Sequence, residues 1–290
     1  MPRHTRRAAV LGHPIDHSLS PVLHRAAYDE LGLDWKYTAV DVTAEELPGH
    51  LASLGPEWVG LSLTMPLKEA VMGLLTEVDP QAAKVRAVNT VLLDGPNRAG
   101  LNTDITGLQA IFADAQVGKA STVTIVGAGA TARSAVAALA GVGVSKVVVI
   151  ARRPEAVTEL GALAKDLGLA SDGGTWPPTT EALGGDAVVS TVPAGVAATI
   201  ATPPSPGLLV DVLYHPWPTP LAAAWEAAGG RVIGGLELLV RQAVEQVALM
   251  TGRRPSIACL RTAGLAALAE QVIPEPSASA GSGEIAQEDQ

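Results

Sequence analysis

The stretch Thr122-Val123-Thr124-Ile125-Val126-Gly127-Ala128-Gly129-Ala130-Thr131-Ala132 decides how the rest of this chain reads. Its first five residues have the apolar-leaning character of a strand covered by helices on both faces. They run straight into Gly-x-Gly-x-x-Ala, and an alanine-rich helical stretch follows. In that order the first glycine permits a tight turn, and the second lets the backbone approach a pyrophosphate. Ala132, small like a third glycine, lets helix and strand pack closely. The helix N-terminus then offers unpaired N–H groups and partial positive charge to a diphosphate. Gly-x-Gly-x-x-Ala alone fits many ordinary turns. The strand before it and the helix after it make Gly127, Ala128, Gly129, Ala130, Thr131 and Ala132 a dinucleotide motif.

The next strand indicates which dinucleotide. It ends Val149-Ile150-Ala151-Arg152-Arg153, about 20 to 25 residues after the glycines, where an NAD enzyme places Asp or Glu against the ribose 2′-hydroxyl. Two guanidiniums stand there instead, and a planar, permanently charged fork suits a 2′-phosphate. NADP is the expected cofactor; a solvated surface pair is the plainer alternative for Arg152 and Arg153. Asp186 to Ser190, Leu208 to Val212 and Arg231 to Ile233 continue the strand series. After Gly234-Gly235, a long helix carries Leu236, Leu239, Val240, Ala243, Val244 and Val247 on one face.

Upstream, Ala8 to Leu11, Tyr37 to Val42, Val59 to Leu63, Ala87 to Leu93 and Ala99 to Asp104 read as strands, the last two separated by a Gly95-Pro96-Asn97 turn. Ser20-Pro21 reads as a helix cap with proline in the first turn; Leu23, Ala27 and Leu31 give that helix an apolar face, and Gly32 ends it. The expected fold is α/β in two domains. An N-terminal α/β substrate domain spans 1–105, and a Rossmann-type doubly wound NADP-binding domain spans 106–235. C-terminal helices over 236–272 return to the first domain. A tail over 273–290, rich in Ser, Gly, Ala, Glu and Gln, is expected to be disordered. The crevice between the domains is the natural place for a site.

Composition narrows the partners. A chain of 290 residues, 48% hydrophobic and 17% charged, can fold around two cores. Its net charge of -9 argues against a nucleic-acid surface. The one cysteine, Cys259, cannot form an internal disulfide, which fits a reducing cytoplasm. Arg3, Arg6 and Arg7 precede an apolar run too short for a signal peptide, and no window reaches the roughly 18 to 20 apolar residues of a membrane helix. A cytoplasmic monomer or homodimer acting on a small molecule is expected.

Three places carry candidate chemistry. In the loop Gly12-His13-Pro14-Ile15-Asp16-His17-Ser18-Leu19-Ser20-Pro21, Ser18 and Ser20 lie two apart. Their hydroxyls point the same way in an extended loop and could donate to a carboxylate, unless Ser20 is consumed in capping. His13, His17 and His24 have no metal-ligand spacing, and no metal is expected. Lys68 follows a Thr64-Met65-Pro66-Leu67 turn, while Asn89 and Asp104 are expected to end neighbouring strands. A Lys, an Asn and an Asp converging on one crevice suit a polyhydroxylated ring, and Lys68 is the candidate acid or base.

These motifs together resemble the shikimate dehydrogenase family. G-x-P-[IV]-x-H-S-x-S-P-x-x-H matches Gly12 to His24, T-x-P-x-K matches Thr64 to Lys68, and A-x-N-T matches Ala87 to Thr90. N-T-D matches Asn102 to Asp104, D-x-x-Y-x-P-x-x-T-P-L resembles Asp211 to Leu221, and G-L-x-x-L-V-x-Q-A resembles Gly235 to Ala243. The resemblance implies a reversible, NADP-dependent reduction of 3-dehydroshikimate to shikimate in aromatic amino-acid (chorismate) biosynthesis. It implies that Ser18, Ser20 and Tyr214 hold the carboxylate and that Thr64, Lys68, Asn89, Asp104 and Gln242 bind the ring and its hydroxyls. Lys68 and Asp104 would be the catalytic pair. Gly127 to Ala132 would hold the diphosphate and Arg152 the 2′-phosphate, with Leu213 and Gly235 bordering the nicotinamide. Departures from the family pattern fall at Arg25, Ser62, Ala151, Arg153, Ser190 to Pro193 (including Val192) and Leu238; none touches the lysine–aspartate pair. The alternatives are a quinate/shikimate dehydrogenase using NAD and a non-catalytic NADP-binding paralogue. Ser20, where quinate-using relatives often carry Thr, and Arg152 weigh against the first. The presence of both Lys68 and Asp104 weighs against the second.

Overall fold

The computed structural model describes residues 5–272; the tail expected to be disordered lies outside them. The first half runs β1 (Arg6–Gly12), α1 (Ser20–Glu30), β2 (Trp35–Asp41), α2 (Leu47–Ala52), β3 (Trp58–Leu63), α3 (Leu67–Ala70), β4 (Glu77–Val78), α4 (Pro80–Val85), β5 (Thr90–Asp94), β6 (Asn97–Leu101) and α5 (Thr103–Asp114). Its strands form one sheet in the order β2-β1-β3-β5-β6-β4. β1 pairs in parallel with β2 and β3, whereas β5 is antiparallel to both β3 and β6. Alternation along β1 explains why two helical layers cover this sheet. Ala8 and Val10 meet Leu23, Ala27 and Tyr28 of α1, while Ala9 and Leu11 face Leu47 and Leu51 of α2.

The second sheet is built from β7 (Thr122–Val126), β8 (Lys146–Ile150), β9 (Ala170–Gly173), β10 (Ala187–Ser190), β11 (Leu208–Asp211) and β12 (Arg231–Ile233), all parallel. Their order, β12-β11-β10-β7-β8-β9, is the doubly wound order in which the chain reverses direction beside its first strand. β10 and β11 are buried throughout, because helices cover both faces. One face packs on α6 (Ala130–Gly141) and on Leu108, Ile111 and Phe112 of α5; the other packs on Leu221, Ala222 and Trp225 of α9 (Pro220–Ala227). Two further helices, α7 (Pro154–Asp166) and the short α8 (Ala194–Ala197), complete this half.

The long helix α10 (Gly235–Thr251) returns to the first sheet. Val240, Ala243, Val244 and Val247 enter the same core as Ala8 and Val10, and α11 (Ile257–Val272) packs on α1 and α10. The apolar stripe legible in the sequence is thus the stripe that docks.

Local boundaries differ from the sequence reading where side chains cap. The strand expected over Ala99 to Asp104 stops at Leu101, because Asn102 accepts the Ile105 N–H at 3.3 Å and starts α5. Asp104 therefore lies in the first helical turn rather than at a strand end. Asn89 precedes β5 instead of sitting within a strand, yet its backbone stays bonded to Leu63 and Leu101. Ser20 is not a cap. With Pro21 in the first turn, Leu19 takes the cap position, and the Ser20 N–H reaches Ser18 Oγ at 3.4 Å.

Candidate active site

A cavity of about 250 Å³ opens between the two sheets, past the carboxyl ends of β1 and β3. Val10, Leu63 and Thr64 line it from the first sheet, Val212 and Tyr214 from the loop after β11, and Thr131 from the glycine turn. This is where a strand-end crevice is expected in an α/β protein. Ser18, Ser20, Thr64, Lys68, Asn89, Asp104, Gln242 and Gly235 all face the same space. The sequence offered these residues in five separate segments, and the fold brings them together.

Lys68 Nζ donates to Asp104 Oδ2 at 2.6 Å, with the two side chains 16% and 6% exposed. α3 places the lysine just past β3, and the first turn of α5 places the aspartate. Asp104 Oδ1 accepts from Asn89 Nδ2 at 2.8 Å. Asn89 gives its second N–H to Thr103 Oγ1 at 3.0 Å, and its Oδ1 accepts the Thr103 backbone N–H at 2.8 Å. The carboxylate is thereby held from two sides, with the ammonium toward the cavity. That arrangement can move a proton between Nζ and an oxygen lying in the cavity.

At the other end of the cavity, Ser20 is freed from capping, and its hydroxyl has no partner among the described residues. Tyr214 comes across from the second half. Burial holds its phenol above the ordinary value, partly offset by the Leu19 backbone, so it remains a neutral donor. Ser18, Ser20 and Tyr214 thus bring three neutral hydroxyls to one cavity, donors from which a carboxylate can accept. The loop carrying Tyr214 is anchored by buried Asp211, which accepts from Thr219 Oγ1 at 2.7 Å and from the Leu213 N–H at 3.2 Å. His215 on that loop stacks on His17, which lines the cavity, with ring centroids 5.5 Å apart.

A second cleft continues from the glycine turn. Gly127, Ala128 and Gly129 line it together with Ala151, Arg152, Arg153, Trp176, Thr191 and Val192. Gly127 has φ +111°, and a Cβ there would lie 2.2 Å from Thr191 Oγ1, so only glycine fits. A Cβ on Gly129 would meet nothing, leaving open space at the start of α6, where the first N–H groups have no helical partner. Ala132 is fully buried against the sheet. Arg152 and Arg153 are exposed and form no ion pair among the described residues. A backbone cradle beside two uncommitted guanidiniums fits a phosphorylated dinucleotide.

The chain matches the model of the shikimate dehydrogenase substrate-binding domain over residues 10–91, and that of the shikimate 5′-dehydrogenase C-terminal domain over residues 235–263. It is 34% identical to the shikimate dehydrogenase (NADP(+)) of Methanothermobacter thermautotrophicus, across 87% of this chain and 93% of that one.

The chain belongs to the shikimate dehydrogenase family.

Solved structures agree on the two-domain fold. The shikimate dehydrogenase of Mycobacterium tuberculosis superposes with a TM-score of 0.82 at 39% identity, covering 90% of this chain and 99% of that one. The shikimate 5-dehydrogenase of Thermus thermophilus in complex with NADP(H) and shikimate gives 0.79 at 33% identity, covering 91% and 100%. Within this shikimate dehydrogenase fold, some predicted positions stand apart from the two cavities. Leu213 lines neither; its carbonyl accepts the Gly235 N–H at 3.0 Å. Gly235 is demanded by contact, since a Cβ would lie 2.2 Å from the Val212 carbonyl oxygen. Ala130 and Ala132 line neither cavity and stand in the first turn of α6. The sequence reading gave Gln246 and Trp176 no role. Gln246 had a signal, since it lies one turn beyond Gln242 on the same helix face. Trp176 follows β9 in a loop with no pattern to announce it.

Proposed function

We propose that this chain is an NADP-dependent shikimate dehydrogenase, interconverting 3-dehydroshikimate and shikimate. The observation that carries the proposal is that Lys68 and Asp104 share one cavity with Thr131 of the glycine turn. A proton-transferring pair and a dinucleotide cradle thus meet at the same point between the sheets.

Ser18, Ser20 and Tyr214 receive the shikimate carboxylate, and Thr64, Lys68, Asn89, Asp104 and Gln242 surround the ring. Gly127 to Ala132 hold the diphosphate of NADP; Arg152, with Arg153 beside it, holds the 2′-phosphate. Gly235, which lines the cavity, and Leu213, whose carbonyl holds the Gly235 N–H, border the nicotinamide. Bound NADP supplies the hydride acceptor in one direction and the hydride donor in the other. In the reducing direction, the Lys68 ammonium gives its proton from Nζ to the carbonyl oxygen as charge develops there. In the oxidising direction, Nζ takes the hydroxyl proton. Asp104 keeps Nζ aimed into the cavity throughout. Fixing the ring between the hydroxyl cluster and this pair supplies the orientation that hydride transfer requires.

The working division of the chain is 1–105 for substrate, 106–235 for cofactor and 236–272 for the returning helices. No helix among the described residues is long and apolar enough to cross a membrane, and we place the reaction in the cytoplasm, in aromatic amino-acid biosynthesis, by a monomer or homodimer. The test is steady-state turnover with shikimate or quinate paired with NADP or NAD, followed by the absorbance of the reduced nicotinamide. Efficient turnover is expected for shikimate with NADP. Preference for quinate with NAD, or NADP binding without any shikimate-dependent reduction, would overturn the proposal.

A further inference from the structure

Two polar side chains line the substrate cavity without offering it a hydrogen-bond donor. Ser62, on β3, is 4% exposed, and Gln246, on α10, is 1% exposed. Ser62 Oγ donates to Gln246 Oε1 at 2.8 Å, and the Gln246 amide spends both N–H groups, on the Asn89 carbonyl at 3.1 Å and Thr90 Oγ1 at 3.0 Å. Thr90 Oγ1 in turn donates to Asn89 Oδ1 at 2.8 Å. The Asn89 amide ends the series by donating to Asp104, the partner of Lys68.

The series begins deeper. Tyr37 OH, fully buried on β2, donates to Ser62 Oγ at 2.6 Å. Its ring is held by stacking on His24, centroids 3.8 Å apart and planes 16° from parallel. His24 Nδ1 donates to the Ser20 carbonyl at 2.9 Å, in the loop that carries the hydroxyl cluster. Every hydrogen bond from Tyr37 to Asp104 therefore runs in one direction, and no member has a spare donor with which to reverse it. Gln242 differs, since it gives one N–H to the Leu239 carbonyl at 2.8 Å and keeps the rest of its amide for the cavity.

We infer that Tyr37, Ser62 and Gln246 are positioning residues for the Lys68–Asp104 pair, acting through Thr90 and Asn89 rather than by touching substrate. An amide can flip, and Asn89 turned over would present its oxygen to the Asp104 carboxylate. The Thr103 backbone N–H and the buried chain, both donating to Asn89 Oδ1, together fix which face of Asn89 meets Asp104, and so where Asp104 holds the ammonium. Fully satisfied buried networks give this kind of directional order, and each loses it when one link is cut. The inference rests on the proposed activity.

The experiment uses the full chain and three variants: Gln246→Met, Tyr37→Phe and the double substitution. Wild-type turnover with shikimate and NADP separately checks the underlying activity. Gln246→Met should lower kcat at least about tenfold, while the shikimate dissociation constant measured by calorimetry moves less than about threefold. Tyr37→Phe, which removes one oxygen from a ring still held by stacking, should fold normally and lower kcat about threefold. The double variant should be no slower than Gln246→Met alone, because both cut the same chain. A kcat within about twofold of wild type in Gln246→Met, strictly multiplicative losses, or a loss confined to shikimate binding would overturn the inference. Should Gln246→Met fail to fold, Tyr37→Phe decides: lower kcat with unchanged binding supports the relay, and unchanged kcat refutes it.

Discussion

Replacing Lys68 with Met removes one ammonium while keeping most of the volume of the side chain. In the free protein that ammonium already donates to Asp104 at 2.6 Å. Shikimate therefore gains only a shared donor from it in the ground state, and its dissociation constant should rise no more than about tenfold, less than a whole charge-assisted hydrogen bond can give. The transition state is different, because Lys68 Nζ is the proton donor proposed for the oxygen being reduced. General acid–base assistance contributes about a hundredfold to ten-thousandfold, or roughly 3 to 5 kcal/mol of barrier. The variant also leaves the Asp104 carboxylate, 6% exposed, without its cation. Asn89 still donates to Oδ1, so the cost should be about 1–3 kcal/mol, below the roughly 3–5 kcal/mol of a wholly buried broken pair. For a chain of this size that lowers the melting temperature by roughly 3–10 °C, leaving the variant folded under ordinary assay conditions. Steady-state kinetics, shikimate calorimetry and thermal unfolding on one preparation give all three quantities. A kcat within about threefold of wild type, in a folded variant, would refute the role of Lys68 in proton transfer.

Two further outcomes follow from other parts of the structure. Arg152→Ala should raise the KM for NADP by about tenfold to a hundredfold, the worth of charge-assisted hydrogen bonds to a phosphate, and leave the KM for NAD nearly unchanged; equal effects on both cofactors would reduce Arg152 to a surface charge. Burial holds the His24 imidazole down to about 4 from an ordinary 6.5, with the bond to the Ser20 carbonyl opposing only part of the shift. Between those values the unfolded chain binds a proton that the folded chain refuses. Stability is therefore fully present above pH 6.5 and lost as the pH falls toward 4, by up to about 3 kcal/mol. Urea unfolding across that window should show the slope in the wild type and a flatter one in His24→Phe, which keeps a ring against Tyr37. Equal slopes would show that other groups carry the pH dependence.

Much of the fold was legible because local rules and tertiary structure agree in it. The run Thr122 to Ala132 is strand, glycine turn and helix by composition alone, and the parallel sheet only confirms what its apolar strands required. The stripe on α10 was readable for the same reason, as was the helix opened by Pro21. Asp104 was misplaced because one cap decides its surroundings: Asn102 ends the strand and turns the chain into α5 three residues earlier than strand patterning suggests. Ser20 was ambiguous because capping and ligand binding use the same hydroxyl, and only the position of Leu19 removes the ambiguity.

Composition, periodicity and motif spacing determined by themselves that this chain is an α/β protein with a dinucleotide turn, and which polar residues could do chemistry. Such signals are local, set by backbone sterics and burial within one element. Tertiary structure alone decided which residues meet. Lys68 and Asp104 are 36 positions apart, and Ser62 and Gln246 are 184 apart. No periodicity links such positions: the pairing of β3, β5 and β6 in one sheet brings Lys68 to Asp104, and α10, docking its apolar face on that sheet, brings Gln246 to Ser62. The same docking turns Gln242 and Gln246 toward the cavity, so a packing event assembles the site.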